Sequence, residues 1–305
     1  MTAKLSEVNK SISLARLIPV LILYFVWGST YLAIRIVVRE GSGFPPFAAA
    51  SSRFLAAGTL IIVWGVLAKR RMKPNRDELL TMALAGVLML ALGNGMVNWA
   101  EQRTDSGLAA LLVAAVPIWT ILIEAAQDRN LPSVLLAGSI LVGFGGIALL
   151  AVPGMIQGEP AEVLSILALL LAGFTWALGS ARQSRRPVSL DPIISSGYQM
   201  LFGGVGLILF SALNREPFPA PRTDAWLAWG YLVVFGSITA FTAYVIALKT
   251  LPIQLVMTYT YINPVIAVLL GWLILGETIT WWTVGGTALV LLGVAGVFRE
   301  RRRKS

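Results

Sequence analysis

The C-terminal part of the chain contains two long apolar runs joined by a short polar turn. Residues 261–280 read YINPVIAVLLGWLILGETIT, and residues 281–297 continue as WWTVGGTALVLLGVAGV. A helix needs about 20 mainly apolar residues to cross the hydrocarbon core of a bilayer. The two runs therefore predict two successive membrane-spanning helices with a Gly-Glu turn between them.

The same pattern covers the rest of the chain, so we predict an all-α integral membrane protein. Ten segments have the required length and polarity, at 17–38, 45–68, 79–99, 106–126, 134–152, 163–182, 192–213, 225–248, 254–275 and 281–298. Any one of them alone could be the buried helix of a globular protein. Ten in succession, joined by short connections, leave no room for a soluble domain.

Composition supports this interpretation and excludes several classes of function. The chain is 57% hydrophobic and 13% charged, whereas soluble domains carry about 25% charged residues. It has no cysteine and no histidine. Disulfides, zinc–thiolate sites, cysteine or histidine nucleophiles and histidine proton relays are therefore excluded. No nucleophile–base pair, metal-ligand cluster or cofactor motif is visible, so we expect neither an enzyme nor a bound cofactor or metal.

The positive charges predict the orientation in the membrane. With a cytoplasmic N-terminus, 18 of the 24 lysines and arginines fall on the cytoplasmic side, and four fall outside. The four are Arg39, Arg103, Arg215 and Arg222. This asymmetry follows the positive-inside rule. It places both the N-terminal segment 1–16 and the basic tail 299–305 in the cytoplasm. We interpret the tail as an anchor at the anionic leaflet rather than as a nucleic-acid site.

The two halves of the chain resemble each other with a nearly constant offset. The matched pairs are Pro46 with Pro192, Pro117 with Pro264, Gly138 with Gly285, Gly146 with Gly293, and Trp27 with Trp176. The repeats predicted at 17–152 and 163–298 each contain five spans. Because five is odd, the second repeat must enter the membrane from the opposite face. Inverted repeats of this kind recur in secondary transporters, with the solute site near the midplane between them.

Several motifs give the sequence a family resemblance. They are FVWGSTYLAIR at 25–35, SSRFLAAG at 51–58, AAVPIWTIL at 114–122 and the two C-terminal runs quoted above. Together they resemble the EamA-type, ten-helix transporters of the drug/metabolite transporter superfamily, and are similar to aromatic amino acid exporters. The resemblance implies two inverted five-helix repeats and export of metabolites or amino acids. The first half departs from the motif, because Asn130 stands where the second half has Glu277.

Two arginines lie within predicted spans. Arg35 is near the outer end of the first span and can extend to the interface. Arg53 lies deeper, and two interpretations stay open: an ion pair with Glu101 or Asp105, or a place in a solute cavity. No carboxylate is predicted at the midplane, so the sequence gives no direct indication of proton coupling.

Polar and aromatic residues within the spans are the candidates for a solute cavity. Helical spacing places Asn94 with Asn98, Trp27 with Tyr31, and Trp176 with Ser180 on common faces. The predicted cavity residues are Trp27, Tyr31, Asn94, Asn98, Trp99, Trp176, Ser180, Tyr198, Phe241, Tyr244, Tyr259 and Asn263. Pro117 and Pro264 each free a backbone carbonyl, and act either as hinges or as packing kinks.

Aromatic faces with amide and hydroxyl groups suit a small amphipathic solute, whereas a phosphate ester would require several central lysines or arginines. We therefore expect a monomeric secondary transporter of the inner membrane. It would export large neutral or aromatic amino acids, or related metabolites, by alternating access. The alternative is a proton-coupled exporter of drugs or organic cations with the same fold.

Overall fold

The described residues form a bundle of ten apolar helices. The computed structural model describes residues 14–129, 133–157, 160–186 and 188–304, and every regular element within these ranges is a helix. Numbered in chain order, seven are long enough to span a membrane: α1 (Leu17–Val38), α2 (Pro46–Leu67), α3 (Arg76–Ala100), α4 (Ser106–Gln127), α6 (Val163–Arg185), α7 (Pro192–Leu213) and α8 (Thr223–Thr250). Three shorter apolar helices complete the set: α5 (Val134–Leu150), α9 (Tyr259–Leu275) and α10 (Trp281–Gly296). Together they lie at the ten predicted positions.

Some helices continue beyond these apolar stretches. The helix of α1 begins at Leu14, that of α5 extends over Val134–Gln157, that of α6 over Pro160–Arg185, and that of α10 over Trp281–Lys304. Most of the predicted segment 1–16 and Asn130 lie outside the described residues. The all-helical membrane fold predicted from the sequence is confirmed.

Matched turns show that the second half repeats the first. Lys69 after α2 and Arg215 after α7 have φ values of 52° and 50°. The next residue in each case, Arg70 or Glu216, donates its backbone N–H to the carbonyl of a residue five positions earlier. Helix ends with one left-handed residue satisfy otherwise free carbonyls in this way. Two non-glycine residues therefore adopt the same uncommon conformation at equivalent places.

The crossing of α2 and α7 contains two contacts at equivalent positions of the two halves. The Ser51 hydroxyl donates to the Gly204 carbonyl at 3.0 Å. At the equivalent place, a Cβ added at Gly58 would lie 2.9 Å from the Gly197 carbonyl oxygen. With the offset of the two repeats, Ser51 corresponds to Gly197 and Gly58 to Gly204. Replacing each residue of the first contact by its equivalent in the other half therefore gives the second contact. This is expected when two antiparallel helices are related by a two-fold axis.

A second crossing, between α5 and α10, follows the same rule. A Cβ added at Gly146 would lie 2.6 Å from the Val290 nitrogen, and one at Gly293 would lie 2.5 Å from the Gly143 nitrogen. With the offset of the two repeats, Gly146 corresponds to Gly293 and Gly143 to Val290, so these two contacts are also equivalent. Small residues permit such close backbone approach in membrane helices.

The Gly-Glu turn joins the end of α9 to the start of α4. Gly276 ends α9 with φ 69°, a conformation that glycine adopts at little cost. The chain then reverses so that the Glu277 carboxylate accepts the backbone N–H groups of Ser106 and Gly107 at 2.8 and 3.2 Å. A carboxylate at a helix N-terminus satisfies free donors and complements the helix dipole. In the first half, Arg129 has the equivalent left-handed conformation, with φ 52°.

Four of the described helices contain a segment of π geometry. The π segments are Leu23–Trp27 in α1, Gly86–Asn94 in α3, Leu232–Phe241 in α8 and Gly271–Leu275 at the end of α9. Those of α3 and α8 occupy equivalent positions in the two halves. The π geometry is rare and is frequently found at functional sites.

The two predicted proline sites differ in their helices. The helix of α4 is interrupted at Ala114 and Ala115, and Pro117 lies in the first turn of the following piece, Val116–Gln127. Pro264 lies inside Tyr259–Leu270, after a turn that separates this helix from the short helix Ile253–Val256. A hinge role for either proline stays a prediction.

Candidate functional site

An aromatic cluster lies where α1, α6, α8 and α9 meet. The ring of Trp27 has its centroid 5.4 Å from that of Trp176, 5.0 Å from that of Tyr244 and 5.0 Å from that of Tyr259. Phe241 extends the cluster at 6.3 Å from Trp176. Edge-to-face and tilted aromatic pairs at such distances contribute about 0.5–1.5 kcal/mol each beyond their burial. Trp27 comes from the first half of the chain and Trp176 from the second, so the cluster joins the two halves.

Hydrogen bonds fix the orientation of these rings. The Trp176 indole N–H donates to the Tyr244 hydroxyl at 3.1 Å, and this hydroxyl lies 2.6 Å from the Ser180 hydroxyl. The Ser180 hydroxyl also lies within hydrogen-bond distance of the Trp176 carbonyl. The Trp27 indole N–H donates to the Gly236 carbonyl at 3.3 Å. Since their polar atoms have partners, these rings present their apolar faces in defined positions.

A cavity of about 60 Å³ lies against the aromatic cluster, between the two halves of the chain. It can hold a few water molecules. Its polar and aromatic lining consists of Trp27, Thr30, Tyr31, Arg53, Phe54, Asn94, Trp176, Phe241, Tyr259 and Asn263. A solute of the size of an aromatic amino acid requires the surrounding helices to separate.

Arg53 contributes a positive charge to the cavity wall. Its side chain is buried, its Nε donates to the Ser237 hydroxyl at 2.7 Å, and its guanidinium lies 4.7 Å from the centre of the Phe54 ring. One terminal nitrogen has no hydrogen-bond partner among the described residues. Both carboxylate oxygens of Glu101 are likewise without a partner there, so the ion pair with Glu101 considered from the sequence does not form. The structure places Arg53 in the cavity instead.

Hydrogen bonds donated by two asparagine side chains, Asn98 and Asn263, stabilise the polar side of the cavity. The Asn98 amide nitrogen donates to both the backbone and side-chain oxygens of Asn94 at 2.8 Å. The Asn263 amide, with its nitrogen oriented toward them, donates to the carbonyls of Tyr259 at 3.1 Å and Leu23 at 3.2 Å. The Asn263 hydrogen bonds connect α9 to the π segment of α1.

The structure brings together most of the residues predicted for the cavity. Those in its wall are Trp27, Tyr31, Asn94, Trp176, Phe241, Tyr259 and Asn263. Asn98, Ser180 and Tyr244 are buried behind the wall and position the residues in front of them. Their roles in solute binding stay predictions.

Two predicted cavity residues lie elsewhere. The Tyr198 hydroxyl donates to the Met72 carbonyl at 2.7 Å. The Tyr198 ring packs with Met82 and Leu190 near the N-terminal end of α7. Trp99 is next to Asn98 and therefore projects about 100° away from it. Its indole lies 5.9 Å from the Arg103 guanidinium and lines a separate pocket. Polarity within a span did not reveal which face would meet the cavity.

Three residues of the cavity wall were not predicted from the sequence: Thr30, Phe54 and Gly236. Thr30 is three residues after Trp27, a spacing that places both on one helix face. Gly236 allows close approach, because an added Cβ would lie 3.0 Å from Thr30 Cγ2 and 3.1 Å from an Arg53 nitrogen. The contact of Ser237 with Arg53 could be recognised only once α2 and α8 were known to touch.

Comparison with known families decides the class of the protein. Residues 15–152 and 163–299 each match the EamA-like transporter family. The chain belongs to the EamA-like transporter family. This confirms the resemblance to the drug/metabolite transporter superfamily and supports a membrane transporter rather than an enzyme.

Relatives of this EamA-like transporter cover nearly its whole length. The uncharacterized inner membrane transporter YedA of Escherichia coli K12 is 38% identical over 283 residues, which are 89% of each chain. The S-adenosylmethionine/S-adenosylhomocysteine transporter of Chlamydia trachomatis is 24% identical over 294 residues, or 92% of this chain and 88% of that protein. A solved crystal structure with 20% identity aligns with a TM-score of 0.67 over 94% of this chain and 99% of its own, which shows the fold alone.

Proposed function

We propose that this EamA-like transporter is a secondary exporter of large neutral or aromatic amino acids, or of closely related small metabolites. The observation that carries the proposal is the position of Arg53. Its buried guanidinium has a nitrogen without a hydrogen-bond partner in the described part of the chain, and it lies in the same cavity wall as the aromatic cluster.

A single buried arginine next to aromatic rings matches the chemistry of an amino acid. Hydrogen bonds between guanidinium and carboxylate are short and about twice as strong as those between neutral groups. The Trp27, Trp176 and Tyr259 rings offer apolar surface to the solute side chain. One cation in the wall balances one carboxylate, whereas a phosphate ester would leave further negative charge without a partner.

The solute's ammonium group requires acceptors rather than another charge. The Asn94 side-chain oxygen already accepts one hydrogen bond from Asn98, and a carbonyl-type oxygen has a second lone pair. Asn94 lies in the cavity wall. A zwitterion with its carboxylate at Arg53 and its ammonium near Asn94 fits this distribution of polar groups.

The same arginine disfavours the organic-cation alternative. Two like charges 4 Å apart repel by about 4 kcal/mol at an effective dielectric constant of 20. The described residues that line the cavity include Arg53 but no aspartate or glutamate. A cationic drug would therefore meet repulsion without a compensating carboxylate.

A solute that joins an amino-acid group to a larger aromatic part also fits this chemistry. The Chlamydia trachomatis relative is named for S-adenosylmethionine and S-adenosylhomocysteine. Both molecules carry an amino-acid group and a purine ring, and S-adenosylmethionine also carries a sulfonium cation. By the charge argument above, this cavity favours S-adenosylhomocysteine of the two, so both belong on the panel of solutes tested with this chain.

Alternating access is the mechanism that the inverted repeats support. Two halves related by a two-fold axis in the membrane plane can exchange conformations, and this exchange moves the opening of the cavity from one side to the other. The Pro117 and Pro264 regions are proposed as hinges. We further propose a monomer with both termini in the cytoplasm, in agreement with the distribution of lysine and arginine.

The test is transport by purified protein in liposomes. Exchange of labelled amino acids, adenosyl amino acids and organic cations is measured with and without a pH gradient. We expect saturable, mutually competitive exchange of neutral and aromatic amino acids. Flux of organic cations alone, driven by protons, would instead establish the alternative function.

A further inference from the structure

Glu101 is a buried carboxyl group that the proposed solute site does not use. It directly follows α3, at the predicted outer end of the bundle, where residues 39–45, 101–105 and 276–280 lie. Its relative exposure is 0%, and neither side-chain oxygen has a hydrogen-bond partner among the described residues. The neighbouring Thr104 hydroxyl is also buried without a partner there. An ionised carboxylate in such surroundings loses its hydration without compensation.

The groups around Glu101 come from two other parts of the chain. Arg35 of α1 donates to the backbone carbonyl of Glu101 rather than to its carboxylate. Tyr31, one turn earlier on α1, lies close enough to interact with its charge. The turn after α9 contributes Glu277, a second acidic group, which caps α4.

Two further charged residues lie on the same loop as Glu101. Arg103 lies over the Trp99 ring, and Asp105 precedes α4.

The balance of these effects favours a protonated carboxyl. Burial raises the pKa of Glu101 well above its ordinary range, and the Glu277 charge raises it further. The positive charge of Arg35 lowers it, without cancelling the rise. This direction agrees with the geometry, in which the carboxylate has no donor among the described residues.

We propose that Glu101 is a proton-binding site whose protonation accompanies packing of the outer ends of α1, α3 and α4. While these ends are packed, the carboxyl remains shielded and protonated. When they separate, water reaches Glu101 and its pKa falls toward the ordinary range, so the proton is released. Because the pKa is raised in the packed form, that form is favoured at low pH and loses stability as the pH rises.

The site lies next to the solute cavity through α1. Tyr31 lines the cavity, whereas Arg35, four residues later on the same helix, contacts Glu101. Movement of this part of α1 therefore affects the solute and the proton together. The proton site itself does not depend on which solute is carried.

Infrared spectroscopy of the full protein in lipid tests the site without any transport measurement. At neutral pH, we expect an absorption band from a protonated carboxylic acid, which disappears in Glu101→Gln. Glu40→Gln is the matched control, because it removes an exposed carboxyl from a nearby loop, and we expect it to leave the band unchanged. Glu101→Asp, which keeps a carboxyl, should shift the band and serves as the second variant if Glu101→Gln does not fold.

A transport experiment then tests the coupling. In liposomes, the solute exchange rate of the unmodified protein should change with pH, and this dependence should be lost in Glu101→Gln but kept in Glu40→Gln. A neutral-pH spectrum with no protonated carboxyl assignable to Glu101 would overturn the proposal. So would a pH profile that is unchanged in Glu101→Gln. Failure of the amino-acid proposal alone would leave the infrared band in place.

Discussion

Replacing Arg53 with methionine should weaken solute binding without weakening the fold. The change removes the guanidinium but keeps an apolar chain of similar length. A hydrogen bond to a charged group contributes about 1.5–3 kcal/mol. Loss of that interaction with the solute carboxylate should therefore raise the Kd about 10- to 150-fold.

Stability should respond differently, because Arg53 is a costly residue to bury. Its Nε has the Ser237 hydroxyl as a partner, whereas one terminal nitrogen has none among the described residues. Removing a buried charge without a counter-ion relieves a desolvation cost. We expect Arg53→Met to keep or raise the melting temperature. Ser237→Ala, which only frees the guanidinium, should weaken binding to a smaller extent.

The assay is equilibrium binding of the labelled amino acid that exchanges fastest, with melting temperature measured on the same samples. Arg103→Met is the matched control, since it removes an exposed arginine and should leave the Kd unchanged. Arg53→Met with unchanged affinity would refute the assignment of this residue as the carboxylate anchor. A large loss of stability accompanying the loss of binding would show that its role is structural.

Three other variants test the cavity and the packing of the two halves. Trp27→Leu removes three ring contacts of about 0.5–1.5 kcal/mol each and should slow exchange about tenfold or more, whereas Trp281→Leu on the exposed surface should not. Asn98→Ala removes the hydrogen bond that orients the Asn94 side chain in the cavity wall. It should reduce the exchange rate several-fold, while membrane insertion measured by fractionation stays normal. Gly146→Ala should cost about 1–3 kcal/mol by overpacking the α5–α10 crossing and lower the melting temperature. At Gly145, where an added Cβ meets nothing within 4 Å, the same change should be neutral or slightly stabilising.

The bundle was predictable from the sequence because lipid imposes a simple constraint. Each crossing must be a long apolar helix, so the ten positions could be read directly, and the inverted arrangement followed from the odd number per repeat. The Gly146 and Gly293 pair was visible as a repeated glycine, and the structure shows these residues at equivalent backbone contacts. The π segments were not predictable, because they arise from packing between helices rather than from local composition.

The cavity was predictable only in part, for a geometric reason. Helical spacing correctly grouped Trp27 with Tyr31, since both lie in the cavity wall. It could not show that Tyr198 would turn toward Met72. The Arg53–Ser237 contact joins residues 184 positions apart, and nothing local to either residue indicates the other. Choosing between an ion pair and a cavity role for Arg53 required the helix arrangement.

The most direct test of the central claim compares two solutes that differ in one group. Phenylalanine and phenethylamine share the aromatic ring and the ammonium group, but only phenylalanine has a carboxylate. Competition by each against a labelled amino acid is measured with purified protein in liposomes, for the unmodified chain and for Arg53→Met. We expect phenylalanine to compete strongly with the unmodified chain, phenethylamine to compete weakly, and Arg53→Met to remove most of the difference. Stronger competition by phenethylamine in the unmodified chain would contradict a cavity built around a carboxylate anchor.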